Sequence, residues 1–145
     1  MVKILLPIDG SEGALGAVRH ALHLVHNGLH ASFVLANVQE PASLYEVVVA
    51  HDAKVLEDVS AGAAEYALEA AQALMRVAGA SHETEVAQGD PGHMLLEIAE
   101  RYGCELIVMG AHGIGGALRG SRFGSVANAV LHRATVPVTL VREDD

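Results

Sequence analysis

Cysteine, tryptophan and positive charge are all scarce in this chain of 145 residues. A single cysteine, Cys104, excludes an internal disulfide framework and a cysteine-rich zinc site, and it fits a reducing compartment. Lys+Arg total 9 against 18 Asp+Glu, a formal charge of −9 with histidine neutral. Such a surface repels phosphate backbones and anionic headgroups, which argues against nucleic-acid and membrane partners. Aromatic residues make up 3% of the chain and are scattered, with no basic stripe beside them. No apolar run approaches the roughly 20 residues of a membrane span. The start, Met1 to Gly10, has none of the anatomy of a signal peptide. These absences predict a cytoplasmic protein. What is abundant is apolar residue, 51% of the chain, enough to build a core. The length predicts one domain over residues 1–145.

Hydrophobic patterning predicts alternating strands and helices. Val2–Pro7 reads as a strand buried on both faces, stopped by Asp9-Gly10-Ser11. Ser11 is placed to cap a helix whose Leu15, Val18, Leu22 and Val25 form a core-facing stripe, ended by Asn27-Gly28. Ala31–Val38 is the second strand. Residues 57–77 read as one long helix closed by Gly79, while Tyr45–Ala50 fit helix and ordered loop equally. Thr84–Ala87 is a weak third strand whose polarity suits the rim of a sheet. Asp90 and Pro91 open a third helix with a stripe of Met94, Leu95, Ile98 and Ala99, running to Tyr102. Glu105–Met109 is a fourth strand, Ser125–His132 a helix with Val126, Ala129 and Val130 inward, and Thr135–Val141 a fifth strand. The order predicts an α/β fold: one open five-stranded parallel sheet, order 3-2-1-4-5, with helices on both faces in the Rossmann-like manner.

Ligands of such sheets bind beyond the carboxyl ends of the strands, where the winding reverses. Those ends carry Asp9 and the loop Gly110–Ser125, which holds six of the fifteen glycines. Glycines let backbone N–H groups close on an anion, and Gly124-Ser125 then opens a helix whose first amides and dipole favour phosphate. Arg119 and Arg122 stand in the same loop. A loop of this length is seldom idle. Two familiar phosphate loops are excluded. The P-loop needs Gly-Lys-Ser/Thr, and the only lysines are Lys3 and Lys54; a dinucleotide fingerprint needs glycine where Leu118 stands.

Gly110-x2-Gly113, followed after ten residues by Gly124-Ser125, resembles the loop signature of the universal stress protein family, Gly-x2-Gly-x9-Gly-Ser/Thr, with one residue more. The excess predicts a bulge between Gly115 and Phe123. The opening Ile4–Ser11, Gly89-Asp90-Pro91 and Val136-Pro137-Val138 resemble the same family, so the likeness runs from Val2 to Val141. It implies a site for ATP, AMP or ADP, with magnesium as a possible companion. In that site Pro7, Ile8 and Asp9 line the adenosine end and Val38 meets adenine through its main chain. Met109, Gly110, His112 and Gly113 border ribose and phosphates, and Gly124, Ser125 and Val126 bind phosphate. A carboxylate at Asp9 suits ribose hydroxyls, a metal ion beside the phosphates, or simply the turn before the Ser11 helix. His112 is either a phosphate contact or an ordinary loop histidine.

No catalytic residue is assigned, because no nucleophile elbow, placed base or arginine clamp is visible, so hydrolysis of ATP is expected to be slow at most. His20, His23 and His26 walk around their helix without a paired carboxylate, which favours a solvated face over a metal site. The fifth strand is apolar and lies at a sheet edge in the predicted order, a liability that pairing with a second copy removes. The resemblance also implies a homodimer through Val136–Val141. The leading expectation is therefore a dimeric, nucleotide-binding stress-response sensor. The alternative is a family scaffold that has lost the nucleotide and acts through protein partners, and Arg119 or Phe123 filling the pocket favours it.

Overall fold

In the computed structural model, which describes residues 1–40, 53–112 and 123–143, five strands alternate with four helices. They are β1 (Val2–Pro7), α1 (Glu12–His26), β2 (Ala31–Gln39), α2 (Ala53–Ala78), β3 (His82–Gln88), α3 (Pro91–Tyr102), β4 (Leu106–Gly110), α4 (Ser125–Arg133) and β5 (Val138–Val141). All strand pairs are parallel and the sheet order is β3-β2-β1-β4-β5, as the sequence predicts. Tyr45–Ala50, Gly113, Arg119 and the expected bulge lie outside the described residues.

The central strands read as unbroken apolar runs because each has two buried faces. Ile4, Leu6, Phe33, Leu35 and Val108 point to a core shared with α1 and α2. Leu5, Val34, Ala36, Ile107 and Met109 point to a second core beneath α3 and α4. β3 is an edge strand, and its polarity follows from that position. It is longer than expected because its main chain pairs with β2 from His82 to Gln88 whatever the side chains.

Capping follows the sequence closely. Ser11 Oγ accepts from the Ala14 amide at 3.2 Å, and Asp90 Oδ2 accepts from the His93 amide at 2.9 Å with Pro91 opening the helix. Three inward faces differ from expectation. In α1 the buried residues are Gly13, Ala14, Ala17, Val18 and Ala21, while Leu15, Leu22 and Val25 are half-buried at the flanks. Small residues sit on the contact line so that the helix can approach the sheet; the leucines then spread to either side. In α4 the buried pair is Ala127 and Val130. Ala129 packs beneath Gly92 of α3, where an added Cβ would come within 2.8 Å of its own. β5 begins at Val138 rather than Thr135, although the Pro137 carbonyl still accepts from the Ile107 amide. Nor does β5 leave its side chains bare: Val138 and Leu140 pack on one core and Val141 on the other, so the open feature is the backbone edge.

Candidate functional site

The carboxyl ends of β1 and β4 part around a cavity of about 510 Å³, within the range of small-molecule sites. Pro7, Ile8, Asp9, Val38, Met109, Gly110, His112, Gly124, Ser125 and Val126 all line it. These are the residues carried over from the family pattern, apart from Gly113, which is outside the described residues.

Three local devices build the cavity. The first splits the sheet. Residues 33 and 39 of β2 use their main chain toward β3: the Phe33 amide donates to Ser81, and the Gln39 carbonyl accepts from Gly89. Even-numbered residues therefore face β1, and the Ala36 carbonyl accepts from the Ile8 amide at 2.8 Å. Two residues on, β1 has ended and Val38 has no strand opposite it. Asn37 holds the parting open. Its Nδ2 donates to the Ile8 carbonyl at 2.8 Å, and its Oδ1 accepts from Gln39 Nε2 at 2.8 Å. The main-chain donor and acceptor of Val38 consequently point into the gap, a pair suited to the edge of a planar heterocycle.

Close backbone approach at the cavity floor is the second device. A Cβ on Gly110 would lie 2.8 Å from the backbone of Gly13, and one on Gly13 would lie 2.7 Å from the His112 carbonyl. Only glycine fits at both places, so the start of α1 seats against the end of β4. The Asp9 turn sits over this junction. Asp9 Oδ1 accepts from the Ser11 amide at 2.9 Å and from the Ser11 hydroxyl, so the turn role is real. Asp9 Oδ2 has no partner among the described residues, which leaves one carboxylate oxygen for a ligand.

The third device is the opening of α4. Gly124 is its N-cap, has no side chain to occupy the first amides, and anchors the turn by donating its own N–H to the Ala111 carbonyl at 2.8 Å. Ser125 and Val126 thus present backbone donors and a positive dipole end to the cavity. Among the described residues no lysine or arginine lines the cavity, and Asp9 and Glu40 are its acidic members. Anion binding there falls to amides rather than to side-chain charge.

Sequence reasoning missed Asn37, Gln39, Glu40 and Asn128 as lining residues. Asn37 had a signal, a polar residue inside an apolar strand, and it is 1% exposed. Phe123 also lines the cavity, its ring packed against the α3–α4 core. The volume is what remains with that ring in place.

Elsewhere the histidines of α1 behave as surface groups: His23 and His26 are exposed and His20 half-buried. Among the described residues no three His, Cys, Asp or Glu side chains converge on a point that could hold a metal ion, and no helix is long and apolar enough to cross a membrane. Burial pushes the Cys104 thiol above its ordinary pKa, consistent with a small core residue.

The fold and sequence have clear relatives. The solved structure of the protein MJ0577 superposes with a TM-score of 0.83 at 26% identity, covering 99% of this chain and 96% of that one. The universal stress protein YxiE of Bacillus subtilis (strain 168) is 32% identical over 158 residues, spanning 97% of this chain and 98% of its own length. The universal stress protein MJ0531 of Methanocaldococcus jannaschii is 28% identical over 141 residues, 97% of this chain and 82% of that protein. The family pattern itself matches residues 1–142. The strand order and these matches agree, and the chain belongs to the universal stress protein family.

Proposed function

We propose that this chain is an adenine-nucleotide-binding stress-response module, a sensor rather than a catalyst. One observation carries the reading: Val38 beyond the end of β1, the Asp9 carboxylate and the opening of α4 all border one cavity of about 510 Å³. In this arrangement the base lies at Val38, ribose near Asp9 and Gly110, and phosphate at Gly124–Val126. Two proteins of the same fold were solved with such ligands: a universal stress protein in complex with cAMP, 24% identical with a TM-score of 0.64, and an Arabidopsis thaliana family protein with AMP bound, 17% identical with a TM-score of 0.69. The ligands belong to those proteins and make adenine nucleotide the first probe for this one. With no lysine or arginine among the described lining residues to stabilise a transferring phosphoryl group, turnover of ATP is expected to be slow or nil.

The module acts as a homodimer through the β5 edge. The Pro137 and Val141 carbonyls face β4, so the main-chain groups of Val138 and Leu140 face outward, ready for a second copy. Titration calorimetry of nucleotide-free protein with AMP and with ATP plus magnesium tests the nucleotide reading; absence of heat with both overturns it. A second reading, a scaffold that no longer takes nucleotide, draws on Phe123 in the cavity wall. If Phe123→Ala binds AMP and the natural chain does not, the scaffold reading stands.

A further inference from the structure

The outer face of α2 presents an apolar row where a surface helix ordinarily presents charge. Ala64, Ala67, Leu68, Ala71 and Met75 are buried against the sheet and α1. On the opposite face Tyr66 is 80% exposed and Val77 90% exposed, with Ala70 and Ala73 exposed between them. The spacings are four, three and four, the seam of a helix pair, and they align over about three turns. Single exposed apolar residues are ordinary; a row of four at seam spacing is not. Glu69 and Arg76 flank the row on one side, one helical period of seven apart, and both are exposed without an ion-pair partner among the described residues.

We infer that this face pairs with α2 of a second copy of the chain, antiparallel, about a two-fold axis crossing between Ala71 and Gln72. The row is self-complementary in that register. Tyr66 meets the partner's Val77, and Ala70 meets the partner's Ala73. The alanines at the centre let the helices approach to about 8 Å. Residues flanking the same side of an antiparallel pair face one another, so Glu69 meets the partner's Arg76 and Arg76 meets the partner's Glu69. Two opposite-charge pairs result, whereas a parallel arrangement puts the two copies of Glu69 on opposite sides of the seam and forms neither pair. A lipid surface does not fit this face, because the chain is acidic overall and the row's flank carries Glu65 and Glu69. The contact is also separate from β5: α2 lies over β2 and β3, at the far side of the sheet. A chain that pairs by both surfaces assembles beyond a dimer. One pair of helices is a small interface, so the association is weak and concentration-dependent.

Sedimentation equilibrium on the full chain, from micromolar to millimolar concentration, reads the assembly. The expected result is a mass that rises by one further doubling at high concentration, whatever the state through β5. Glu69→Arg sets two arginines together in each pair and is expected to abolish that doubling; Arg76→Glu does the same with two glutamates. The double variant Glu69→Arg/Arg76→Glu restores it. Both positions are solvent-exposed, and far-ultraviolet circular dichroism confirms the fold of each variant. A mass that stays flat to millimolar concentration, or a doubling indifferent to either single reversal, overturns the inference. A double variant as weak as the singles overturns the antiparallel register.

Discussion

Asn37 reaches across 29 residues of sequence to donate its side-chain Nδ2 to the Ile8 carbonyl, and that bond is where β1 and β2 come apart. Replacing it by alanine leaves the Ile8 carbonyl and the Gln39 amide without their partners. Asn37→Ala is therefore expected to lose about 1–3 kcal/mol of stability, the usual cost of an unsatisfied buried polar group. Urea titration should show a lower midpoint at unchanged slope. AMP affinity should fall with it, because Val38 is no longer held open.

Glycines at the cavity floor and on the helix surface make opposite predictions. Gly13→Ala and Gly110→Ala force a Cβ into backbone 2.7–2.8 Å away, and overpacking of this kind costs about 1–3 kcal/mol or more. Gly16 lies in α1 with nothing within 4 Å of an added Cβ, so Gly16→Ala is expected to stabilise by about 0.5–1 kcal/mol. Thermal unfolding of the three variants checks the contrast.

Asp9 lines the cavity with one oxygen committed to Ser11 and a second, Oδ2, that has no partner among the described residues. Under the proposed function that second oxygen accepts from ribose. Asp9→Asn keeps a carbonyl oxygen for the turn and removes the charge. The expected outcome is a folded protein with weaker AMP binding in chelator. Weakening confined to ATP with magnesium would assign Asp9 to a metal ion instead.

Edge pairing through β5 depends on outward main-chain groups. Val138→Pro deletes an N–H that points away from β4, so the sheet is expected to survive while the dimer dissociates, read as a halved mass in light scattering. Thr139→Pro deletes an N–H directed at β4 and is expected to unfold the edge itself.

The Tyr102 hydroxyl donates to Glu85 Oε2 at 2.9 Å, a bond that raises the phenol's pKa above 10.0, helped by burial and by the carboxylate's charge. The neutral phenol is the form that folding favours. Its stabilisation is complete below the unfolded pKa and is lost as pH rises through the higher folded value. Native protein should thus lose more of its unfolding midpoint above about pH 10 than Tyr102→Phe does, measured by urea titration across alkaline pH.

Strand number, strand order and the cavity's glycine rim were legible in the chain itself. Apolar runs such as Ile4–Leu6 and Ile107–Met109 mark strands buried on two faces, and Ser11, Asp90-Pro91 and Gly79 punctuate helices, because these signals act within a few residues. The loop from Gly110 to Ser125, one residue longer than the family signature, together with Ile4–Ser11, Gly89-Asp90-Pro91 and Val136-Pro137-Val138, carried the family resemblance for the same reason. The stripes of α1 and α4 were less legible. A helix with apolar residues over a broad arc has several inward faces open to it, and the depth of its seat on the sheet selects one.

The amino-acid sequence alone marked out a parallel α/β sheet, since periodicity and turn chemistry are local, and its resemblance to a family pointed to the ten described residues that line the cavity at the sheet's carboxyl end. Only the tertiary structure decided that Asn37 parts two strands, that Gly13 seats on Gly110, and that Tyr66 and Val77 stand together on an open face. Those are meetings of distant or unpatterned residues, fixed by how closely backbones pack and by which hydrogen bonds remain to be made once the strands are in register.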